Sequence, residues 1–228
     1  MTEDDHIRHS QAASATLVTD ADERARQEAA NGLRQAERVR EYILQVLDGR
    51  PFRLRTSTVL DLNRFAIEGL DAYAGNFRPG NVEINKSQHQ PPAAHMVPIL
   101  VDDLCDYVNE NWTSTSAIHL SAMVMWRLNW IHPFTDGNGR TSRALSYLVL
   151  CSHSRVLMAG SETIPEQIVK NRDPYYEALE AADAVFAEEK ALSIKTVERM
   201  EALVRTMLAR QLRSAFDQAS GHGDKSAG

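Results

Sequence analysis

Cysteine is scarce in this chain: Cys105 and Cys151 are the only two among 228 residues. That rules out a disulfide-stapled scaffold and a thiolate metal cluster, which both need cysteines in sets. Each sits in an apolar helical pattern and is expected to be a buried thiol. Long hydrophobic runs are missing too, since no apolar stretch approaches the roughly 20 residues that span a bilayer. Positive charge is in deficit, with 25 Lys and Arg against 31 Asp and Glu and a net charge of −6. This is the wrong sign for a general nucleic-acid binder, although it leaves room for a local basic pocket. The opening MTEDDHIRHS is polar and acidic and lacks a signal-peptide pattern, so a cytoplasmic protein is expected. No internal repeat and no second catalytic domain can be read.

What is present is an ordinary globular composition, 43% hydrophobic and 25% charged, in a length suited to one domain with extensions. Apolar residues recur at helical intervals. The first helix is expected over Asp20–Asp48, carrying Leu33, Val39, Ile43, Leu44 and Leu47 and ended by Gly49 and Pro51. Further helices are expected over Thr56–Leu70, Val97–Asn111, Ser114–Trp130, Thr141–Cys151, Asp173–Glu188 and Ala191–Phe216. The fold class is therefore all-α. One stretch differs: Tyr73–His95 holds Gly75, Pro79, Gly80, Pro91 and Pro92 around the alternating Val82-Glu83-Ile84-Asn85, which predicts a small β-hairpin and a Pro-rich loop. Residues 1–19 are expected to be a flexible N-terminal segment, 20–218 a single domain, and 219–228 a disordered polar tail.

The chemistry concentrates in Ile131–Arg143, IHPFTDGNGRTSR, between two apolar helices. A helix N-terminus offers unpaired N–H groups and partial positive charge, a seat for anions. Gly137 and Gly139 allow close backbone approach and positive φ, and Asn138 tolerates a left-handed conformation while offering an amide donor. Arg140 and Arg143, three apart, share a helix face and suit two phosphates. Asp136 would repel phosphate unless a bound Mg²⁺ bridged them. His132 has a side chain able to accept a proton near neutral pH. Alone, each residue has a plainer reading: a core histidine, a helix-capping aspartate, surface arginines in ion pairs. Their concentration on one glycine-rich bend reverses that preference. His119 with His132 and Asp136 offers three ligand types for a metal site, but no tight His pair supports it.

This stretch resembles the Fic family signature, HxFx(D/E)GNGRxxR, at every specified position: His132, Phe134, Asp136, Gly137, Asn138, Gly139, Arg140 and Arg143. The resemblance extends more weakly over roughly residues 50–192. It implies a Fic-type helical bundle whose small hairpin, Val82, Glu83, Ile84 and Asn85, is a flap on which an extended segment of a target protein docks by main-chain pairing. It further implies transfer of AMP from ATP to a Ser, Thr or Tyr hydroxyl. His132 would be the base and Asp136 would hold Mg²⁺. Gly137, Asn138, Gly139, Arg140 and Arg143 would hold the phosphates, and Tyr175 and Tyr176 would line the nucleoside pocket. Relatives that transfer a phosphoryl group usually carry lysine at the second glycine, so Gly139 favours adenylylation; UMP or phosphocholine transfer and a non-enzymatic nucleotide- or partner-binding module stay open. Many relatives carry an inhibitory (S/T)xxxE(G/N) helix. Here Thr19–Glu23 matches only TxxxE, with Arg24 next, and Glu23 reads better as a solvent-facing charge. Inhibition by a separate antitoxin-like protein stays open, as does homo-oligomerisation through the apolar face of the last helix.

Overall fold

The computed structural model describes residues 10–11, 16–160 and 162–220. Among them are eight α-helices: α1 (Ala21–Leu47), α2 (Thr56–Ile67), α3 (Val97–Glu110), α4 (Ala117–Ile131), α5 (Asn138–Ser154), α6 (Ile164–Lys170), α7 (Asp173–Glu189) and α8 (Glu198–Ala219). The chain is all-α, as its periodicity predicts. The flexible ends expected at 1–19 and 219–228 fall mostly outside the described residues.

Helix α4 is the axis of the bundle. Every residue from His119 to Leu128 is buried, because AIHLSAMVMWRL is apolar on all sides and finds neighbours on all sides. It packs along α5 and also against α3, α7 and α8. Between α4 and α5 two small residues meet: the Ser121 and Ser146 hydroxyls lie 2.7 Å apart, and Ser146 also donates to the Ser121 carbonyl at 2.9 Å. Thus neither buried hydroxyl is left without a partner. Trp126, fully buried, donates its indole N–H to Asp183 on α7 at 2.8 Å. Both cysteines are buried free thiols, pushed up by burial to about 12 for Cys105 and about 11 for Cys151.

Several helices depart from the sequence reading for physical reasons. On α1 the buried face is Asn31, Gln35, Val39, Ile43 and Val46, while Leu33 faces solvent. The two buried amides bond carbonyls of α2 and its C-cap: Asn31 donates to Glu68 O at 2.9 Å, just past the helix, and Gln35 gives Leu62 O a second bond at 2.8 Å. Helix α5 begins three residues earlier than its apolar pattern suggests, since the polar Asn138-Gly139-Arg140 already has helical geometry. Between α5 and α7, where the sequence reading places no helix, lies α6, started by a Thr163–Glu166 capping box with Pro165 in the first turn. The last expected helix is split into a 3₁₀ turn, Ile194–Val197, and α8.

The flap strand is present but short. Glu83–Ile84 (β2) pairs antiparallel with Ser10–Gln11 (β1), not with a return strand from its own loop. Lys86 turns the chain at φ 61° directly after β2, and Pro91 and Pro92 have no N–H to donate, so the segment cannot supply its own partner strand.

Candidate active site

The bend between α4 and α5 is held from within and from below. Helix α4 stops at His132, whose backbone is left-handed (φ 52°, ψ 58°) and whose N–H still bonds Leu128 O at 3.0 Å. Phe134 is fully buried and anchors the loop. Asn138 closes it: its Oδ1 accepts the Phe134 N–H and its Nδ2 donates to the Phe134 carbonyl, both at 2.9 Å. Its amide is thereby engaged inside the turn. From α2, Asn63 Nδ2 donates to Asp136 O at 3.1 Å, while its Oδ1 accepts the Gly75 N–H at 3.1 Å. Of the two motif glycines only Gly137 is left-handed (φ 77°); Gly139 is helical, and its missing side chain leaves room for Arg143 Nη1, 3.1 Å from where a Cβ would stand.

His132 is nearly buried, and its Nδ1 lies 3.3 Å from Asn129 O. That carbonyl can only accept, so the ring proton resides on Nδ1 and Nε2 is the basic nitrogen. Burial pushes the imidazole down to about 4, which keeps it neutral through the physiological range. The side chain of Asn129 spans to the next layer, with Nδ2 2.7 Å from Ser142 Oγ and 2.8 Å from the Tyr175 hydroxyl.

Asp136 sits in a charge cluster that includes the start of α1. Its Oδ2 accepts from Arg140 at 3.0 Å and from Arg24 at 2.9 Å, and its Oδ1 accepts the Gly137 N–H at 2.6 Å. Glu28 completes the cluster, 3.1 Å from Arg24 Nε and 3.6 Å from Arg140 Nη1. Burial would raise the Asp136 carboxyl, but Arg140, the Gly137 N–H and Arg24 outweigh it and hold it below the usual carboxylate range. Arg143 is different: half-buried, with its charge disfavoured by burial, it has no carboxylate within ion-pair distance among the described residues. Its charged surroundings are Arg140 and Arg172, with the Tyr175 and Tyr176 phenols nearby. The N-cap residue of α5, Gly137, offers no side chain to close the helix end. A cation with no counter-anion among the described residues, beside a helix N-terminus that no N-cap side chain closes, is an arrangement that takes up an anion.

The other expected site residues are placed as follows. Tyr175 is buried beneath α5 through Asn129, and Tyr176 is half-buried with its ring 5.8 Å from that of Tyr175. Val82 points into the protein and Glu83 outward, Ile84 is half-buried and Asn85 exposed. What ties this strand to the bend lies on its flanks: Arg78 donates to His132 O, and His89 Nε2 lies 2.7 Å from Trp130 O. His119 does not join His132; it bridges Tyr107 and Glu201. Among the described residues there is no group of three or more His, Cys, Asp or Glu that could hold a metal, and no helix long and apolar enough to cross a membrane. Glu23 is exposed. The sequence reading missed Arg24, Glu28, Arg78, Asn63 and Asn129. A lone asparagine on the apolar face of DLNRFAI was a signal for Asn63; an arginine in a Gly/Pro loop carries none.

The Fic/DOC family model matches residues 53–150. A protein adenylyltransferase Fic of Drosophila willistoni is 32% identical over 129 residues, 55% of this chain and 24% of that one. One from Aedes aegypti is 28% identical over 145 residues, 63% of this chain and 27% of that one. The chain spans about a quarter of the length of these curated relatives. Among solved structures, a Fic-domain signaling protein from Bacteroides thetaiotaomicron superposes with a TM-score of 0.67 at 20% identity, covering 87% of this chain and 75% of that one. A Fic family protein from Desulfovibrio desulfuricans gives 0.55 at 18% identity, covering 91% and 71%. These likenesses agree on the all-α fold. The region that carries the unbroken signature, on the bend between α4 and α5, is thus similar to the Fic/DOC family over residues 53–150, and the chain shares the all-α fold of Fic-domain structures.

Proposed function

We propose that the chain is a nucleotidyltransferase that moves AMP from ATP to a hydroxyl of a protein target. The observation that carries this reading is Arg143, a half-buried guanidinium with no carboxylate at ion-pair distance among the described residues, beside a helix start whose N-cap, Gly137, has no side chain, and on the same bend as a neutral imidazole. In this reading the main-chain N–H groups at the start of α5, with Arg140 and Arg143, hold the polyphosphate. His132 Nε2 takes the proton of the target hydroxyl as its oxygen bonds the α-phosphorus. The bond from that phosphorus to the bridging oxygen breaks, and pyrophosphate leaves with the electron pair. Catalysis then rests on positioning and on fixed positive charge. Tyr175 and Tyr176 border the phosphate seat from α7, and residues 82–85 are the proposed docking strand for the target.

Asp136 fits a nucleotide-borne Mg²⁺ better than a resident metal. One protein carboxylate suffices for Mg²⁺ when phosphates supply further ligands, and no larger donor set surrounds it among the described residues. The cation would neutralise phosphate charge there. Because Arg24 engages the same carboxylate oxygen, removing it favours the metal. Arg24→Ala should raise the affinity for Mn²⁺, titrated with a non-hydrolysable ATP analogue and followed by electron paramagnetic resonance, by about two- to fivefold, the scale of a partly exposed ion pair. Unchanged or weaker Mn²⁺ binding would show that Arg24 and the cation do not compete.

The reading is tested with ATP labelled on the α- or the γ-phosphate, Mg²⁺ and cell lysate. Retention of the α-label alone on protein is expected. Retention of the γ-label would mean phosphoryl transfer, and nucleotide binding without retained label would mean a binding module.

A further inference from the structure

We propose that Arg78 is a positioning residue that fixes the His132 imidazole by clamping its backbone, an inference that rests on the proposed role of His132 as base. Arg78 lies in the Gly/Pro-rich loop before β2 and is only 3% exposed. No carboxylate lies within ion-pair distance of it among the described residues. Its guanidinium is used entirely on carbonyls: Nε donates to His132 O at 2.8 Å, Nη1 to Gly80 O at 2.8 Å, and Nη2 to Pro92 O. Its own N–H donates to Pro133 O at 2.9 Å.

Three consequences follow from that geometry. The carbonyl it grips belongs to a non-glycine residue in the left-handed region, φ 52°, a conformation that is costly unless its surroundings enforce it. Two adjacent carbonyls of the bend, those of His132 and Pro133, are satisfied by this one residue, so the two peptide planes that flank Pro133 are both held. The remaining two bonds go to Gly80 and Pro92, on either side of β2. One buried cation thereby joins both ends of the docking-strand loop to the backbone of the base. Lysine cannot replace it, since one ammonium lacks the planar fork that spans three separated carbonyls. Because the imidazole's Nδ1 must stay on Asn129 O to leave Nε2 basic, a backbone released at His132 lets the ring leave that carbonyl.

The test separates this role from fold maintenance and from the transfer reading. Protein labelled with ¹⁵N-histidine and free of nucleotide is compared with its Arg78→Ala and Arg78→Lys variants by long-range ¹H–¹⁵N spectra, the His132 signals being assigned by their loss in His132→Ala. Wild type should show the Nδ1-protonated tautomer, and both variants a shift toward the Nε2-protonated form. With substrates, kcat should fall about 10- to 100-fold in Arg78→Ala, the scale of a misplaced catalytic group, with the nucleotide KM unchanged and part of the rate restored by added ethylguanidine. A His132 that stays Nδ1-protonated in Arg78→Lys, the variant that keeps the charge and the bulk, overturns the proposal. The spectra decide this even if wild type transfers no AMP, an outcome that would instead remove the base role.

Discussion

Under the proposed transfer, replacing His132 with alanine should lower AMP transfer by roughly 10²–10⁴-fold, the contribution of a positioned general base, while nucleotide affinity should stay within about twofold of wild type, far below a tenfold step of 1.4 kcal/mol. The asymmetry follows from the layout. The imidazole is bonded to Asn129 O at the end of α4, whereas the proposed phosphate seat is the start of α5 with Arg140 and Arg143. Removing the ring therefore leaves the anion seat intact and takes away only the proton acceptor. Burial already keeps the ring neutral, so the variant loses no charge with which the triphosphate interacts. The measurement pairs single-turnover transfer of labelled AMP with titration of a fluorescent ATP analogue. An undiminished transfer rate would remove His132 from the mechanism. A parallel collapse of nucleotide binding would show that the ring shapes the phosphate seat.

Gly137→Ala should cost about 2–4 kcal/mol of folding stability, combining the strain of a side chain in the left-handed region with overpacking. At φ 77° the new Cβ would lie 2.7 Å from Ile67 Cγ2 and 3.1 Å from Asn63 Nδ2. Neither neighbour can move easily. Ile67 is fully buried at the end of α2, and Asn63 holds both Asp136 O and the Gly75 N–H. Gly139→Ala is the control: that position is helical, and its Cβ would meet only Arg143 Nη1, the tip of a long side chain. Urea denaturation should separate the two, with Gly137→Ala markedly destabilised and Gly139→Ala close to wild type in stability but weaker in binding nucleotide. Equal stabilities would mean that the bend relaxes around a methyl group at 137.

The layout of the bundle was legible wherever periodicity was strong. AIHLSAMVMWRL is apolar on all sides and could only be a central helix, and the signature residues could be named because they are contiguous. What stayed hidden is held by polar groups distant in sequence. The buried face of α1 contains Asn31 and Gln35 because the Leu62 and Glu68 carbonyls lie opposite and accept from their amides, a demand invisible in α1 itself. Asn138 reads as a donor for ligand, yet its amide closes the bend on Phe134, since a tight loop must satisfy its own backbone first. The neighbours of Asp136 could not be anticipated, because Arg24 lies 112 positions away and reaches it only through the packing of α1 against α2 and α5.

The pairing of Ser10–Gln11 with Glu83–Ile84 turns recognition on that side of the strand into an exchange. A polypeptide seeking to add there meets hydrogen-bonding groups already engaged by the molecule's own leading segment, and must evict it. Its measured affinity is then the intrinsic one scaled by the fraction of molecules whose leading segment has let go. Shortening or stiffening that segment would retune how readily outsiders are admitted without altering any residue that meets nucleotide.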